Sequence, residues 1–135
     1  MAAEEYYFYI QIQNQTANGN NPAGGNLTLN SVTGIDGSPP FTVTPTIPGN
    51  NEETQAVEIW LPDYTNKLAA TINYNLPNDS LLTIVYNFNY IEQPDNFYAT
   101  VSGTNSSNYA ASTQKMEQTP NDESVTYVVS VTASN

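Results

Sequence analysis

Thirteen carboxylates, two lysines and neither histidine nor cysteine set the chemistry open to this chain of 135 residues. Without histidine, the commonest general base, proton shuttle and metal ligand is missing. Without cysteine there is no disulfide, thiolate metal site or sulfur nucleophile. What remains is carboxylate chemistry, above all the paired acids of glycoside hydrolysis. Most of the acids lie in stretches that read as turns: Asp36, Glu52, Glu53, Asp63, Asp79, Asp95, Asp122 and Glu123. Glu58 is the clearest acid within a strand, flanked by Val57 and Ile59 and on the same row as Trp60. A glutamate there most simply faces water. No Gly-x-Ser-x-Gly turn, phosphate-binding loop or zinc spacing occurs. Turn acids and Asn carbonyls suit calcium, which prefers oxygen ligands, but no loop repeats acids at a regular ligand spacing. The residues point to a binding protein with no catalytic residues, metal or cofactor.

Aromatic residues are the second resource: ten Tyr, four Phe and one Trp. Trp60 and Tyr64 flank Pro62, and Tyr90, Phe97 and Tyr98 bracket the connection Ile-Glu-Gln-Pro-Asp-Asn at 91–96. Amphipathic rings beside loops suit lipid headgroups or sugar faces. The alternative is that such rings cap the ends of a core. Trp60, Tyr64, Tyr90, Phe97 and Tyr98 are therefore the candidate membrane- or ligand-binding residues.

Strands must position these rings. In 68–90, Leu68, Ala70, Ile72, Tyr74 and Leu76 alternate with Ala69, Thr71, Asn73 and Asn75. After Pro77-Asn-Asp-Ser80, Leu82, Ile84, Tyr86, Phe88 and Tyr90 alternate with Leu81, Thr83, Val85, Asn87 and Asn89. Period-two patterning on both sides of turn residues predicts an antiparallel hairpin at the centre of a sheet. Its Asn-rich second row predicts a face that meets water or a polar neighbour. Tyr6, Phe8, Ile10 and Ile12 form the core row of a first strand, with Tyr7, Tyr9, Gln11 and Gln13 behind it. Residues 14–26 read as a long surface turn, and Leu27-Thr-Leu29 as a short strand that can extend to Thr33.

Phe41, Val43 and Ile47 alternate with threonines, but Pro45 interrupts them, so this strand belongs at an edge or stops there. In Gln-Ala-Val-Glu-Ile-Trp-Leu, Val57, Ile59 and Leu61 share one face, and Ala56, Glu58 and Trp60 the other. Residues 97–102 form another short strand, 103–108 a loop, and 109–118 fit no single pattern. Val125, Tyr127, Val129 and Val131 are the core row of the last strand. Eight or nine strands with no secure helix predict an all-β antiparallel sandwich, or a barrel, in one domain spanning 1–135.

A net charge of −11 cannot neutralise phosphates along nucleic acid, and it repels anionic lipid. The apolar runs are shorter than a spanning helix of about 20 residues. Met-Ala-Ala-Glu-Glu lacks the charged and apolar regions of a signal peptide, so the expectation is synthesis in the cytoplasm without a leader. Sequons at Asn14, Asn26, Asn78 and Asn105 then follow from the Asn-rich composition.

Ile10-Gln-Ile-Gln-Asn-Gln-Thr16, then a Gly-rich stretch and Leu27-Thr-Leu29, resembles the opening of the aegerolysins. Ala70-Thr-Ile-Asn-Tyr74, Leu82-Thr-Ile-Val-Tyr-Asn-Phe-Asn89 and the closing Ser124-Val-Thr-Tyr-Val-Val129 are similar to that family's middle and end. Within it, the chain looks most like the small component of bacterial binary insecticidal toxins. It departs at 89–96, where Asn89, Pro94 and Asn96 stand without the family's Gly, and in having Trp60 as its one tryptophan.

The resemblance implies a hemolysin-like β-sandwich that binds a membrane lipid, often a sphingolipid, and recruits a larger pore-forming protein. It implies release from the cell, or association with a crystal or spore, and action at a target-cell membrane. A homo-oligomer stays open. The alternative from the residues alone is a carbohydrate-binding lectin, whose loops of Asn, Asp and aromatic residues would hold sugars. A third reading is a structural coat protein, against which the proline-blunted edge argues.

Overall fold

A computed structural model describes residues 6–16, 25–34, 41–49, 52–61, 68–76, 79–88, 97–104, 106–116 and 124–133. Among these residues are ten strands: β1 (Tyr6–Gln15), β2 (Leu27–Gly34), β3 (Phe41–Val43), β4 (Thr46–Ile47), β5 (Glu53–Leu61), β6 (Leu68–Leu76), β7 (Ser80–Phe88), β8 (Phe97–Gly103), β9 (Tyr109–Lys115) and β10 (Ser124–Ala133). One 3-10 turn, Ser106–Asn108, lies within the expected loop. Two five-stranded sheets, in the orders β3-β5-β1-β10-β9 and β4-β2-β6-β7-β8, pack as an all-β sandwich. The second sheet is antiparallel throughout, with β6 at its centre and β7 beside it. In the first, β1 and β10 run parallel, so the two ends of the chain's strand series meet in mid-sheet.

The alternating rows meet between the sheets. Phe8, Ile10, Ile12, Val57, Ile59, Val125, Tyr127, Val129 and Val131 face Leu27, Ile47, Ala70, Ile72, Tyr74, Leu76, Leu82, Ile84 and Tyr86. Each of the larger side chains, fully buried, contributes about 1.5–3 kcal/mol of apolar transfer. Period two alone predicts all of these positions. It fails at Ala56, expected on the outer face beside Glu58 and Trp60 but buried in the core. Val57 pairs with Ile10 and Gln55 with Gln11, so Ala56 is the extra residue of a β-bulge. The bulge turns two successive residues inward.

Three further regions are settled by the strand pairing. Residues 109–115, which fit no single pattern, form β9, whose side chains are mostly exposed and so carry no strong alternation. The run around Pro45 stops before the proline in an edge strand, β3, as expected, but it then resumes as β4, an edge strand of the other sheet. Proline has no N–H to give a ladder, and here the chain crosses between layers: Thr44 N donates to Ala56 O at 2.7 Å on one side, and Leu29 N donates to Pro45 O at 2.8 Å on the other. The Tyr74 hydroxyl donates to Thr44 O at 2.7 Å from within the core. Third, β1 does not end at the start of an expected turn at Asn14. It continues to Gln15, and Asn14 is fully buried.

Asp79 adopts φ 61° at the β6–β7 turn, the left-handed region that Asp tolerates. Pro77 and Asn78 of that turn lie outside the described residues, as does most of the expected 14–26 turn, 17–24. Among the described residues, no helix is long and apolar enough to cross a membrane.

Candidate ligand-binding surface

The strand registers sort the loops into two ends of the sandwich. At one end Tyr7 pairs with Trp60 and Tyr86 with Phe97. β5 and β7 end there, and β6, β8 and β10 begin there. At this end Phe8 lies 5.1 Å from Tyr86, 5.8 Å from Tyr127 and 6.4 Å from Phe97, ring centre to ring centre. Phe97 stacks on Tyr127 at 4.2 Å. These rings join β1, β7, β8 and β10 across both layers, which is how a sandwich end is sealed with apolar surface.

The opposite end is sealed by hydrogen bonds. Asn14 Nδ2 donates to Gly25 O and, at 3.0 Å, to Ile47 O. Asn14 Oδ1 accepts from Thr16 N at 3.1 Å and from Thr16 Oγ1 at 2.6 Å. Both donors of the amide are thereby used, and its oxygen has two Thr16 donors within reach. Thr16 Oγ1 also lies 2.7 Å from Gly25 O; its single proton serves one of the two oxygens at a time. Gly49 approaches Gly25 so closely that a Cβ there would lie 2.8 Å from its backbone. This cluster is structural: the Asn14 amide and the Thr16 hydroxyl bond within it.

The five residues expected to bind a membrane or ligand divide accordingly. Trp60, 47% exposed, projects from the outer face of the first sheet, and Tyr98, 52% exposed, from the outer face of the second. They share the aromatic end but lie on opposite sides of the sandwich. Phe97 turns inward into the ring cluster, since it and Tyr98 are neighbours on a strand and must face opposite ways. Tyr64 and Tyr90 lie outside the described residues.

Beside Trp60 the structure assembles residues that sequence reading left as a plain outer row. Tyr7 and Tyr9 stack with ring centres 5.9 Å apart and planes within 6°. Tyr7 is paired with Trp60 and Tyr9 with Glu58, across β1 and β5. Gln55 Nε2 donates to Glu58 Oε1 at 3.3 Å. Burial, then the Glu58 carboxylate and Tyr7, hold the Tyr9 hydroxyl above the usual tyrosine range, so it stays protonated at neutral pH. The readable signal was a pair of tyrosines at i, i+2 on a row that otherwise carries glutamines.

The outer face of the second sheet differs. Asn30 Nδ2 donates to Asn75 Oδ1 at 2.8 Å, Asn73 Nδ2 to Ser31 Oγ at 2.9 Å, and Thr83 Oγ1 to Asn73 Oδ1 at 2.6 Å. The expected polar row is therefore occupied with itself. Among the described residues, no group of three or more acids is placed to hold a metal ion. No protein-family model matches the chain, and no curated protein matches it.

Proposed function

We propose that this chain is a non-enzymatic, membrane-lipid-binding toxin component of aegerolysin type, which recognises a sphingolipid headgroup and acts with a larger pore-forming protein. The observation that carries the reading is the pair of exposed rings, Trp60 and Tyr98, flanking one end of the sandwich above a sealed aromatic cluster. Rings so placed can enter a headgroup layer while the body of the protein stays in water. A chain at −11 gains nothing from anionic lipid, so attachment rests on contacts with neutral or zwitterionic headgroups. Among the described residues, the apolar rows of β1, β5, β6, β7 and β10 are committed to the core. Turning them into a membrane-spanning barrel would expose that core, which favours a partner that supplies the pore.

The test is co-sedimentation with vesicles of sphingomyelin–cholesterol, ceramide phosphoethanolamine, phosphatidylcholine alone and phosphatidylserine. Retention by one sphingolipid class, weakened by Tyr98→Ala and by Trp60→Ala in folded protein, supports the proposal. So does an absence of dye release from those vesicles by this chain alone. Retention by none of the vesicles, or by the anionic ones only, overturns it.

A further inference from the structure

We propose that the outer face of the first sheet is a saccharide-binding site, in which Trp60, Tyr7, Tyr9, Glu58 and Gln55 hold a neutral pyranose. The inference goes beyond lipid recognition and does not depend on it. The register places Trp60 opposite Tyr7 and Glu58 opposite Tyr9, on one face of two adjacent strands. Directly opposed side chains on a sheet start about 5 Å apart, so the two tyrosines, the tryptophan and the carboxylate form one continuous patch about the size of a sugar ring.

The chemistry of the patch selects its ligand. An exposed indole offers an apolar plane to the C–H face of a pyranose. Glu58 accepts one bond from Gln55, and an ionised carboxylate has further acceptor sites for hydroxyl donors. Such O–H···O⁻ bonds are roughly twice as strong as neutral ones. The Gln55 side-chain carbonyl accepts, and the protonated Tyr9 hydroxyl both donates and accepts, so a diol can be met on both sides.

The same carboxylate excludes other occupants. An acyl chain laid over it would bury an unpaired charge, which is strongly unfavourable. An acidic sugar, with a uronate or sialic acid group, would be repelled by it, more so at a net charge of −11. The second sheet lacks this arrangement, because its amides and hydroxyls already bond one another.

Trp60 is the one tryptophan in the chain, so its fluorescence reports this face alone. The experiment titrates the full chain with soluble neutral oligosaccharides: β-1,3- and β-1,4-glucans, chitin fragments, and oligosaccharides ending in galactose or N-acetylgalactosamine. Sialylated oligosaccharides and choline chloride serve as controls. Trp60 emission and its quenching by acrylamide are followed, with calorimetry as an independent readout. The expected result is saturable protection of Trp60 by at least one neutral class, and not by the sialylated form. Glu58→Gln should weaken it about tenfold or more, the share of a charge-assisted bond, and Tyr9→Ala, which removes a ring and a neutral hydroxyl, should weaken it several-fold, both variants remaining folded by circular dichroism.

Tyr98→Ala should leave sugar affinity unchanged, and Glu58→Gln should leave retention by sphingolipid vesicles unchanged, which separates the two sites at every residue but the shared Trp60. Protection by no neutral oligosaccharide overturns the proposal. So does protection by choline alone, which would make the patch a cation–π site, or sugar binding indifferent to Glu58→Gln and Tyr9→Ala.

Discussion

The two ends of this sandwich are closed by opposite means. At one, Phe8, Tyr86, Phe97 and Tyr127 press together by ring contact. At the other, Asn14 and Thr16 close the structure with hydrogen bonds to each other and to Gly25 and Ile47. Ring contact is summed over many weak interactions and tolerates a change of shape. A buried amide does not, because each lost bond strands a buried partner. The aromatic end can therefore present further rings to solvent, as Trp60 and Tyr98 are presented, and still hold together. The amide end has little freedom of that kind.

Substitutions can break this contrast in order of severity. Asn14→Asp keeps the shape but replaces two donors with acceptors, aims a carboxylate at Gly25 O and Ile47 O, and should cost about 3–5 kcal/mol in urea unfolding. A loss below about 1 kcal/mol would show that the amide is not what holds this end. At the other end, Phe97→Ala should cost about 3 kcal/mol, whereas Phe97→Leu, which preserves volume better, should cost under about 1.5 kcal/mol. Equal losses for the two Phe97 variants would contradict the graded behaviour assigned to the ring cluster.

A smaller effect, shared by both halves, is set by pH. Burial holds the hydroxyls of Tyr74 and Tyr86 above the usual tyrosine range. The unfolded chain releases these protons near pH ~10, while the folded chain retains them. The stability tied to the neutral hydroxyls is thus fully present below pH ~10 and falls above it, by up to about 1.4 kcal/mol per pH unit for each tyrosine. Tyr74→Phe should remove one tyrosine's share of that alkaline slope. It should also cost about 1 kcal/mol at neutral pH, through the bond to Thr44 O. An unchanged slope in stability measured between pH 9 and 11 would refute the assignment.

Legibility in the sequence followed the kind of interaction. The rows through Phe8, Ile10 and Ile12, through Ile72 and Tyr74, and through Val129 and Val131 could be read because burial of apolar residues on a strand needs only the period of two. Asn14 could not, since a polar residue is buried only when its partners are supplied. Those partners, Gly25 and Ile47, are 11 and 33 residues away. Ala56 needed the bulge opposite Ile10 and Gln11 to be known. Phe97 and Tyr98 are adjacent and chemically alike, and which one faces the core is decided by what crosses the sandwich to meet it.

The candidate surface shows the same division. Trp60 and Tyr98 could be chosen from their positions beside connections, but Tyr7 and Tyr9 became part of a site only once β5 was laid beside β1, with Glu58 opposite Tyr9. By itself the sequence determined the all-β class, the central hairpin, the core rows and the carboxylate-only chemistry, because these depend on local period, turn residues and composition. Tertiary structure alone decided the parallel meeting of β1 and β10, the crossing at Pro45, the buried amide and the aromatic–carboxylate face. Each of these joins residues distant along the chain, and a local pattern carries no information about which strands become neighbours.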